Sequence, residues 1–313
     1  MEGLVLQTTG NDYVVRTETG EVYRCHLKGS FKQEGIRTTN PIAVGDRVIF
    51  EAETGEEWCW ITKILLRKNY IIRRASNLSK RGQIIGANLD RALLIVTINY
   101  PVTSTTFVDR FLATCEAYDV PAGLIFNKTD RYTEAEMREL ETLVDLYEGL
   151  GYPCYPVSVL EGKGLDPVRE AVNHGLTLLS GHSGVGKSSL INALVPHSDR
   201  KTASISEANN SGVHTTTHSE MIPLPQTNGA YLIDTPGVRG FGTLDFEKEN
   251  IGHYFPEIFA SSAGCRYHNC THTHEPGCAV LKDLKKGSVS HSRYKSYLSI
   301  LTEDDEEKYR APY

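Results

Sequence analysis

The sequence predicts an α/β chain made of three successive parts, and three observations support this prediction. Short β-rich runs separated by turn signals fill residues 1–72, as in a small β-barrel. Over residues 73–240, apolar strand-like runs alternate with amphipathic helical stretches, as in a parallel sheet covered by helices. Residues 241–313 have a helical pattern, are rich in cysteine and histidine, and end in an acidic tail.

Length and composition indicate an ordinary globular protein. The chain has 313 residues, of which 40% are hydrophobic, enough for a core in each part. The first residues lack the pattern of a secretory leader, and no apolar run approaches the ~20 residues of a membrane-spanning helix. We therefore expect a cytoplasmic protein.

The cysteines fall into two groups. Three of the seven are clustered, and four are dispersed through apolar or strand-like stretches, where free buried thiols are expected: Cys25, Cys59, Cys115 and Cys154. An odd number with this distribution favours a reduced compartment and one local metal site over a disulfide framework.

Charge is unevenly distributed, although the formal net charge is −6. One stretch contains only basic charged residues, namely Lys63, Arg67, Lys68, Arg73, Arg74, Lys80 and Arg81. A contact surface for nucleic acid and a solvated strand with a linker both fit this stretch.

The N-terminal part is predicted to be a five-stranded barrel of the OB type, because its length and its β-rich runs fit that fold. The runs are Tyr13–Arg16, Val22–His26, Arg47–Phe50 and Trp58–Ile64. Such barrels commonly bind RNA on one face.

The middle part is predicted to be a helix-covered parallel sheet. Its predicted strands are Arg91–Ile98, Ala122–Phe126, Pro153–Ser158, Leu176–Ser180, Ser219–Ile222 and Ala230–Ile233. Its predicted helices are Thr106–Tyr118, Thr133–Leu150, Leu165–Val172 and Lys187–Leu194. The second helix begins with a capping box formed by Thr133 and Glu136.

A phosphate-binding loop lies between a predicted strand and a predicted helix. Its residues match GxxxxGK[ST] and are Gly181, His182, Ser183, Gly184, Val185, Gly186, Lys187 and Ser188. Its backbone N–H groups and the helix N-terminus favour phosphate, and Lys187 bridges the outer phosphates. We expect Ser188 to hold Mg²⁺ and Ser189 to lie near the α-phosphate.

Two further motifs follow strands and complete a guanine-nucleotide site. Asp234-Thr-Pro-Gly237 is expected to place Asp234 near Mg²⁺ and the Gly237 N–H on the γ-phosphate. The other motif consists of Asn127, Lys128, Thr129 and Asp130. A carboxylate at Asp130 accepts from the two donors of guanine, which adenine lacks, so GTP is favoured over ATP.

The roles of the remaining residues in the base-binding loops are less closely defined by the sequence. Asn127 either reaches the opposite edge of the base or ties the loop down, while the stem of Lys128 covers the ring. Ser158 and the two residues after it are candidates for backbone contact with guanine.

A polar stretch between the phosphate loop and Asp234 is typical of a switch loop. A threonine there completes the Mg²⁺ shell only when the γ-phosphate is present. We choose Thr216, with Thr215 and Thr217 as close competitors.

A Cx4CxHx5C cluster predicts one structural zinc site. Its ligands are Cys265, Cys270, His272 and Cys278, a set that suits tetrahedral Zn²⁺ without an open position. His268 and His274 are alternative ligands on sequence alone. One helix is predicted to follow, and it carries a plausible RNA-facing surface formed by Lys282, Lys285, Lys286, Arg293 and Lys295.

The order of these motifs identifies a resemblance that covers essentially the whole chain. In ordinary small GTPases the NKxD motif follows the phosphate loop, whereas here it comes first. A circularly permuted GTPase domain between an OB-type barrel and a helical zinc-binding domain resembles the RsgA family, also called YjeQ or YloQ. The Cys/His spacing is that of the same family. The resemblance implies GTP hydrolysis stimulated by the small ribosomal subunit, a role in late maturation of that subunit, and contacts with its rRNA.

The catalytic residues differ from those of Ras-like proteins, because Val238 stands where a water-orienting glutamine would be expected. His214 matches the histidine of the family's switch-loop motif and is the candidate for positioning water, with contact to RNA or simple packing as the alternative. We expect a monomer that uses GTP or GDP, Mg²⁺ and one structural Zn²⁺. The alternatives are an assembly factor that uses GTP as a switch with little turnover, an ATP-dependent enzyme, and a permuted GTPase acting on the large subunit.

Overall fold

The computed structural model describes residues 1–28, 41–52, 58–74, 82–195, 220–225, 227, 229–234 and 247–302. Several predictions fall outside these ranges, including those for the switch loop with its threonines and His214, for Gly237 and Val238, and for the acidic tail.

The N-terminal part is the closed five-stranded barrel that the sequence predicts. Its strands are β1 (Glu2–Thr9), β2 (Asp12–Arg16), β3 (Val22–Leu27), β4 (Arg47–Ala52) and β5 (Cys59–Ile64). They are joined in the order β1-β2-β3-β5-β4, and pairing of β1 with β4 closes the barrel. The strands β3 and β5 are parallel, and the other barrel pairs are antiparallel. Closure leaves no free edge within the barrel.

Strand β1 was not among the predicted runs, and its packing explains why. Val5 lies in the barrel core, whereas Leu4 and Leu6 pack against the core of the central sheet. A strand covered on both faces has consecutive apolar residues instead of alternation. The periodic signal for a strand is therefore weak there.

The basic stretch after the barrel is partly structural. Of the two hypotheses for this stretch, one was a solvated strand and linker. The structure shows that the stretch continues into a hairpin formed by β6 (Tyr70–Arg74) and β7 (Gly82–Ala87). Arg67 donates through Nε and Nη2 to the two carboxylate oxygens of Asp46, each at 2.7 Å. The Arg67 side chain is only 6% exposed. Arg67 therefore does not belong to a surface that contacts nucleic acid.

The middle part contains the predicted sheet. Its strands are β8 (Arg91–Val96), β9 (Ala122–Phe126), β10 (Cys154–Pro156), β11 (Leu176–Gly181), β12 (Glu220–Pro223) and β13 (Tyr231–Asp234). They are arranged in the order β10-β9-β8-β11-β13-β12. All neighbours are parallel except β12 and β13, which are antiparallel.

Four helices cover the two faces of this sheet, as predicted. They are α1 (Thr105–Ala117), α2 (Glu134–Gly149), α3 (Leu165–Ala171) and α4 (Lys187–Leu194). Side chains of α1 and α2 contribute to one core, and those of α3 and α4 contribute to another. The capping box of Thr133 and Glu136 at the start of α2 is confirmed. No helix in the described part of the chain has the length and apolar composition needed to cross a bilayer.

The barrel is joined to the edge of the central sheet. Gln7 of β1 pairs with Glu220 of β12, so the barrel strand extends the order of the sheet. Arg16 of β2 also contacts the hydroxyl of Tyr231 in β13. Both contacts lie beside the strand that ends at Asp234.

The C-terminal part is helical, as predicted. A 3-10 helix (Lys248–Tyr254) precedes α5 (Pro256–Ser262), α6 (Ala279–Lys286) and α7 (His291–Leu301). Ala113 of α1 also packs into the apolar core of this part. The prediction of one helix after the cysteines is wrong, because Gly287, with φ 81°, ends α6 and a second helix, α7, follows.

The four dispersed cysteines are buried and free, as expected. Burial raises the pKa of the thiols of Cys25 and Cys154 to about 12. These thiols are therefore protonated and unreactive at neutral pH.

Candidate nucleotide and metal sites

The candidate nucleotide site lies where the sheet changes direction. From β8, the strands β9 and β10 are added in turn towards one edge of the sheet. The chain then returns to the centre, where β11 pairs with the other side of β8. In open α/β sheets, ligands bind beyond the carboxyl ends of the strands at such a point. The loops that follow β8, β9 and β11 meet there, and Asp234 at the end of β13 contacts Lys187 beside them.

The phosphate loop has the backbone that phosphate binding requires. It begins at Gly181 at the end of β11, and α4 starts at Lys187. Gly184 and Gly186 have φ values of 86° and 97°, in the left-handed region that glycine tolerates best. A Cβ atom on Gly186 would collide with the amide of Asn127. The loop and the start of α4 therefore form the expected cradle for an anion.

Asn127 ties the base-binding loop to the phosphate loop. Its Nδ2 donates to the carbonyl of Val185 at 2.8 Å, and its Oδ1 accepts from the N–H of Val159 at 3.2 Å. The residue is only 2% exposed. Of the two roles that the sequence left open, the observed contacts correspond to holding the loops together.

Lys128 forms a second link between the same loops. It has φ 69°, and its Nζ donates to the carbonyls of Tyr100 at 2.5 Å and Gly184 at 2.6 Å. Burial lowers the pKa of Lys128, and the charge of Arg131 lowers it further, while Asp130 opposes the shift. Lys128 therefore joins the base-binding loop to the phosphate loop and to the loop after β8.

Asp130 is exposed, but one of its oxygens is held in place. The Ser158 hydroxyl donates to Oδ1 of Asp130 at 2.6 Å, and Ser158 is completely buried. The backbone N–H of Ser158 donates to the carbonyl of Lys163 at 3.0 Å. Ser158 thus contributes through its hydroxyl, which orients the carboxylate. Among the described residues, the other Asp130 oxygen has no hydrogen-bond partner.

Lys187 and Asp234 lie side by side at the phosphate end of the site. The Lys187 ammonium contacts Oδ1 of Asp234, and both side chains are largely buried. Asp234 ends β13 opposite Leu179 of β11, the neighbouring strand. Ser188 and Ser189 occupy the first turn of α4, where both are partly exposed.

Two residues of this region were not found from the sequence. Phe107 of α1 packs against His182 of the phosphate loop, with ring centroids 3.7 Å apart. Burial lowers the pKa of His182, which favours the neutral ring. Tyr100, in the loop after β8, supplies the carbonyl that holds Lys128. An aromatic residue after an apolar strand is too common a signal to identify either contact.

The four predicted zinc ligands form one compact cluster, with their ligand atoms within 4.8 Å of one another. Sγ of Cys265 lies 3.9 Å from Sγ of Cys278, and their distances to Nδ1 of His272 are 3.6 and 3.5 Å. Tetrahedral zinc, with bonds of about 2.3 Å to sulfur and about 2.0–2.1 Å to nitrogen, requires separations of about 3.8 and about 3.6 Å. The residues therefore fit a zinc ion. His268 and His274 lie outside this cluster.

The ionisable groups of the cluster have shifted pKa values. Burial lowers the pKa of His272, so the imidazole is neutral, as a ligand must be. Burial raises the pKa of Cys270 to about 12. Burial also acts to raise the pKa of Cys265, but hydrogen bonds from the N–H groups of Ala279 and Val280, together with the Cys278 and Cys270 thiols, lower it overall. Neighbouring thiolates resist ionising together unless a cation lies between them.

Residues outside the motif hold the cluster's backbone. The hydroxyls of Tyr294 and Tyr297 on α7 donate to the carbonyls of His272 and Thr271, both at 2.7 Å. Glu275 accepts from the N–H of Thr271 at 2.6 Å. Hydrogen bonds of this kind outweigh burial and hold the pKa of Glu275 well below its usual range.

Arg293 corrects the predicted RNA-facing surface. It is fully buried and donates to Asp109 of α1 at 2.9 Å and, through two nitrogens, to Glu257 of α5 at 2.8 and 3.1 Å. Tyr147 of α2 donates to the same Asp109 oxygen at 2.9 Å. Arg293 therefore joins the C-terminal helices to the central domain. The exposed cations among the five residues are Lys282, Lys285, Lys286 and Lys295.

Comparison with protein families gives two adjoining matches. The RsgA N-terminal domain matches residues 2–59, and the RsgA GTPase matches residues 64–244. The chain is 56% identical to a small ribosomal subunit biogenesis GTPase RsgA from Bacteroides fragilis and 55% identical to one from Porphyromonas gingivalis, with both chains of each pair fully covered.

Solved structures show the same architecture. The crystal structure of YjeQ from Thermotoga maritima superposes with a TM-score of 0.75 at 31% identity, covering 99% of each chain. YloQ, described as a circularly permuted GTPase, gives a TM-score of 0.73 at 30% identity, covering 100% of this chain and 96% of YloQ. The motif order, the fold and these similarities agree, and the chain belongs to the RsgA GTPase family.

Proposed function

We propose that the chain hydrolyses GTP, binds the small ribosomal subunit and its rRNA, and acts in late maturation of that subunit, which stimulates hydrolysis. The observation that carries this proposal is the connection between two loops far apart in the sequence. Asn127 and Lys128 bind the carbonyls of Val185 and Gly184, so the loop ending at Asp130 and the phosphate loop form one unit. Its two ends suit the base and the phosphates of one guanine nucleotide.

The base is recognised by Asp130 in this proposal. The Ser158 hydroxyl fixes Oδ1 of the carboxylate, which faces the N1–H and N2–H₂ donors of guanine. Thr129 and the stem of Lys128 border the ring. Asn127 acts indirectly by holding the loop.

The phosphates occupy the loop from Gly181 to Gly186 and the first turn of α4. Lys187 exchanges Asp234 for the outer phosphates, Ser188 holds Mg²⁺, and Ser189 lies near the α-phosphate. A bound Mg²⁺ neutralises charge that develops on the phosphates. Asp234, which lies beside Lys187, would then be the group that orients a water bound to the metal.

Three proposed roles fall on residues outside the described ranges. Thr216 completes the Mg²⁺ shell in the GTP state, and the Gly237 N–H contacts the γ-phosphate. His214 positions water for hydrolysis. Unaided turnover is slow, because Val238 cannot orient water.

The Cys/His cluster holds one structural Zn²⁺, with Cys265, Cys270, His272 and Cys278 as ligands. The agreement between their separations and tetrahedral zinc supports this assignment. Bound zinc contributes folding energy to the C-terminal part.

We propose the same division of the chain as the sequence suggests, namely a barrel over 1–72, a nucleotide domain over 73–240 and a zinc-binding part over 241–313. The protein acts as a cytoplasmic monomer. The exposed lysines of α6 and α7 contact rRNA phosphates.

One experiment tests the hydrolytic function. GTP turnover is measured while purified small subunits are added at several salt concentrations. We expect strong stimulation that weakens steeply with salt, because phosphate contacts release counterions. GTP binding without stimulated turnover would instead support an assembly factor that uses GTP as a switch. Stimulation by large subunits alone would contradict the proposed partner.

A second experiment tests base recognition. Asp130→Asn replaces one acceptor of the carboxylate with a donor and is expected to shift preference from GTP towards xanthosine triphosphate. Asp166→Asn, in the exposed first turn of α3, is the matched control and should leave the preference unchanged. Unaltered GTP preference in Asp130→Asn would show that another group reads the base.

A further inference from the structure

A tyrosine and an arginine form a stack on the surface beside the base-binding loop. The Arg131 guanidinium lies over the Tyr100 ring, 4.6 Å from its centre. Tyr100 is 52% exposed, Arg131 is exposed as well, and neither belongs to the two apolar cores that flank the central sheet. Packing of the core therefore does not account for this contact.

Arg131 directly follows Asp130, the proposed reader of the guanine edge. Both residues lie in one 3-10 turn, and the N–H of Arg131 donates to the carbonyl of Lys128 at 2.9 Å. Burial lowers the pKa of Lys128, and the nearby charge of Arg131 lowers it further. The guanidinium therefore lies close to the Lys128 ammonium.

Hydrogen bonds fix the backbone of Tyr100 on both sides. Its carbonyl accepts from Nζ of Lys128 at 2.5 Å, and its N–H donates to Oδ1 of Asn99 at 2.9 Å. Asn99 in turn donates through Nδ2 to Glu136 of α2 at 2.7 Å. The ring that lies against Arg131 is therefore carried by a backbone held between the base-binding loop and α2.

Lys128 shows which part of a bound nucleotide this stack would adjoin. Its backbone belongs to the base-binding loop, and its Nζ donates to the carbonyl of Gly184 in the phosphate loop at 2.6 Å. A nucleotide held at both ends has its base near Asp130, its phosphates near Gly184 and its ribose between them. Because Arg131 adjoins Asp130, the stack belongs to the base end.

The Arg131 guanidinium has room for a second planar partner. Among the described residues, it contacts the Tyr100 ring but forms no hydrogen bond or ion pair. A guanidinium is planar, stacks on aromatic rings and nucleobases, and has two faces. One face is covered by Tyr100, so the other can accept the flat ring of a purine.

We propose that Arg131 stacks on the guanine ring of the bound nucleotide, and that Tyr100 positions the guanidinium from its other face. This inference deepens the proposed function and rests on it, because it needs a guanine nucleotide beside Asp130. Asp130 reads the edge of the base, while Arg131 holds its face. Since every nucleobase has such a face, Arg131 adds affinity without selecting guanine.

Calorimetric titration of the full-length protein with GDP measures the contribution of Arg131. Arg131→Met removes the planar cation and keeps much of the length. It should weaken GDP binding about 2- to 30-fold, which corresponds to about 0.5–2 kcal/mol for a cation–π contact. Arg138→Met removes a 69% exposed arginine on α2 and should leave the affinity unchanged. Unchanged affinity in Arg131→Met would overturn the proposal.

A lysine variant separates stacking from simple attraction of charge. Arg131→Lys keeps the positive charge but loses the planar group, and it should recover little of the lost affinity. Full recovery would assign the effect to charge, and the stacking role would be wrong.

Inosine diphosphate separates stacking from damage to the base-binding loop. It keeps the purine ring but lacks the 2-amino group from which Asp130 accepts. Arg131→Met should weaken the binding of GDP and of inosine diphosphate by the same factor, so that the preference for GDP stays as in the unaltered protein. A selective loss of GDP affinity would show that the substitution displaced Asp130, which would refute the stacking role.

A double-mutant cycle tests the positioning role of Tyr100. Tyr100→Leu should weaken GDP binding when Arg131 is present and should have little further effect in Arg131→Met. Tyr100→Phe keeps the ring and should bind GDP like the unaltered protein. Equal effects of Tyr100→Leu in both backgrounds, including none, would mean that Tyr100 does not act through Arg131. Circular dichroism verifies that each variant is folded.

Failure of this inference is distinguishable from failure of the proposed function. If the unaltered protein binds no guanine nucleotide, both fail. If it prefers GDP to inosine diphosphate but Arg131→Met binds GDP equally well, only the stacking inference fails and the proposed function stands.

Discussion

Replacing Arg293 with methionine tests the buried charge network between α7, α1 and α5. Methionine keeps much of the side-chain length but removes the only positive charge in the network. Arg293 and Asp109 are 0% exposed, and Glu257 is 8% exposed. The substitution therefore leaves two carboxylates without their cation in surroundings that water barely reaches.

The size of the effect follows from these contacts. Removing one partner of a buried ion pair costs about 3–5 kcal/mol. The Arg293 guanidinium also lies 4.6 Å from the Phe255 ring, and loss of that contact adds about 0.5–2 kcal/mol. We expect Arg293→Met to lower the free energy of unfolding by about 3.5–7 kcal/mol in total.

Urea unfolding followed by circular dichroism measures this change, and hydrogen exchange locates it. Protection should fall in α1 and α7, because Asp109 and Arg293 join these helices. A triple variant that also carries Asp109→Leu and Glu257→Met should recover most of the stability, since apolar replacement of a whole buried network is often neutral. The reasoning is refuted if Arg293→Met costs under about 1 kcal/mol, or if the triple variant is no more stable.

Three other predictions concern the two sites. Asn127→Ala should weaken GTP binding about 10- to 100-fold, because the carbonyl of Val185 loses its buried donor; unchanged affinity in a fluorescent-nucleotide titration would contradict this role. Removal of zinc by a chelator, or Cys270→Ala, should abolish hydrogen-exchange protection in α6 and α7, whereas retained protection would show that this part folds without metal. Burial holds the pKa of His182 below 6.5, so the unfolded chain binds the proton first and stability falls as pH drops through 6.5. His182→Phe should flatten the pH dependence of the urea midpoint between pH 7.5 and 5.5 while keeping the contact with Phe107, and an unchanged pH dependence would exclude His182 as its source.

Local chemistry explains why so much of the site could be predicted. The phosphate loop needs its glycines, lysine and serine within eight consecutive positions, and the four zinc ligands lie between positions 265 and 278. The order of the motifs, with Asn127 before Lys187, indicates circular permutation directly. Alternating apolar patterns likewise give most strands and helices to within a few residues.

These local patterns could not predict contacts between residues that are far apart in the sequence. Asn127 meets Val185 across 58 positions, and Arg293 meets Asp109 across 184. Arg293 was placed on a surface because an arginine near several lysines has the composition of a solvated face, and only its burial against two carboxylates shows otherwise. The same holds for Arg67, whose partner Asp46 lies in another segment.

The sequence alone determined the chemistry of this protein, because the groups that bind phosphate, guanine and zinc are set by residue type and short spacing. The tertiary structure decided which of those groups touch, that β1 joins the barrel to the edge of the central sheet, and that α7 is anchored to α1. Such contacts depend on how separate elements bury one another, and burial is a property of the assembled chain rather than of any local stretch.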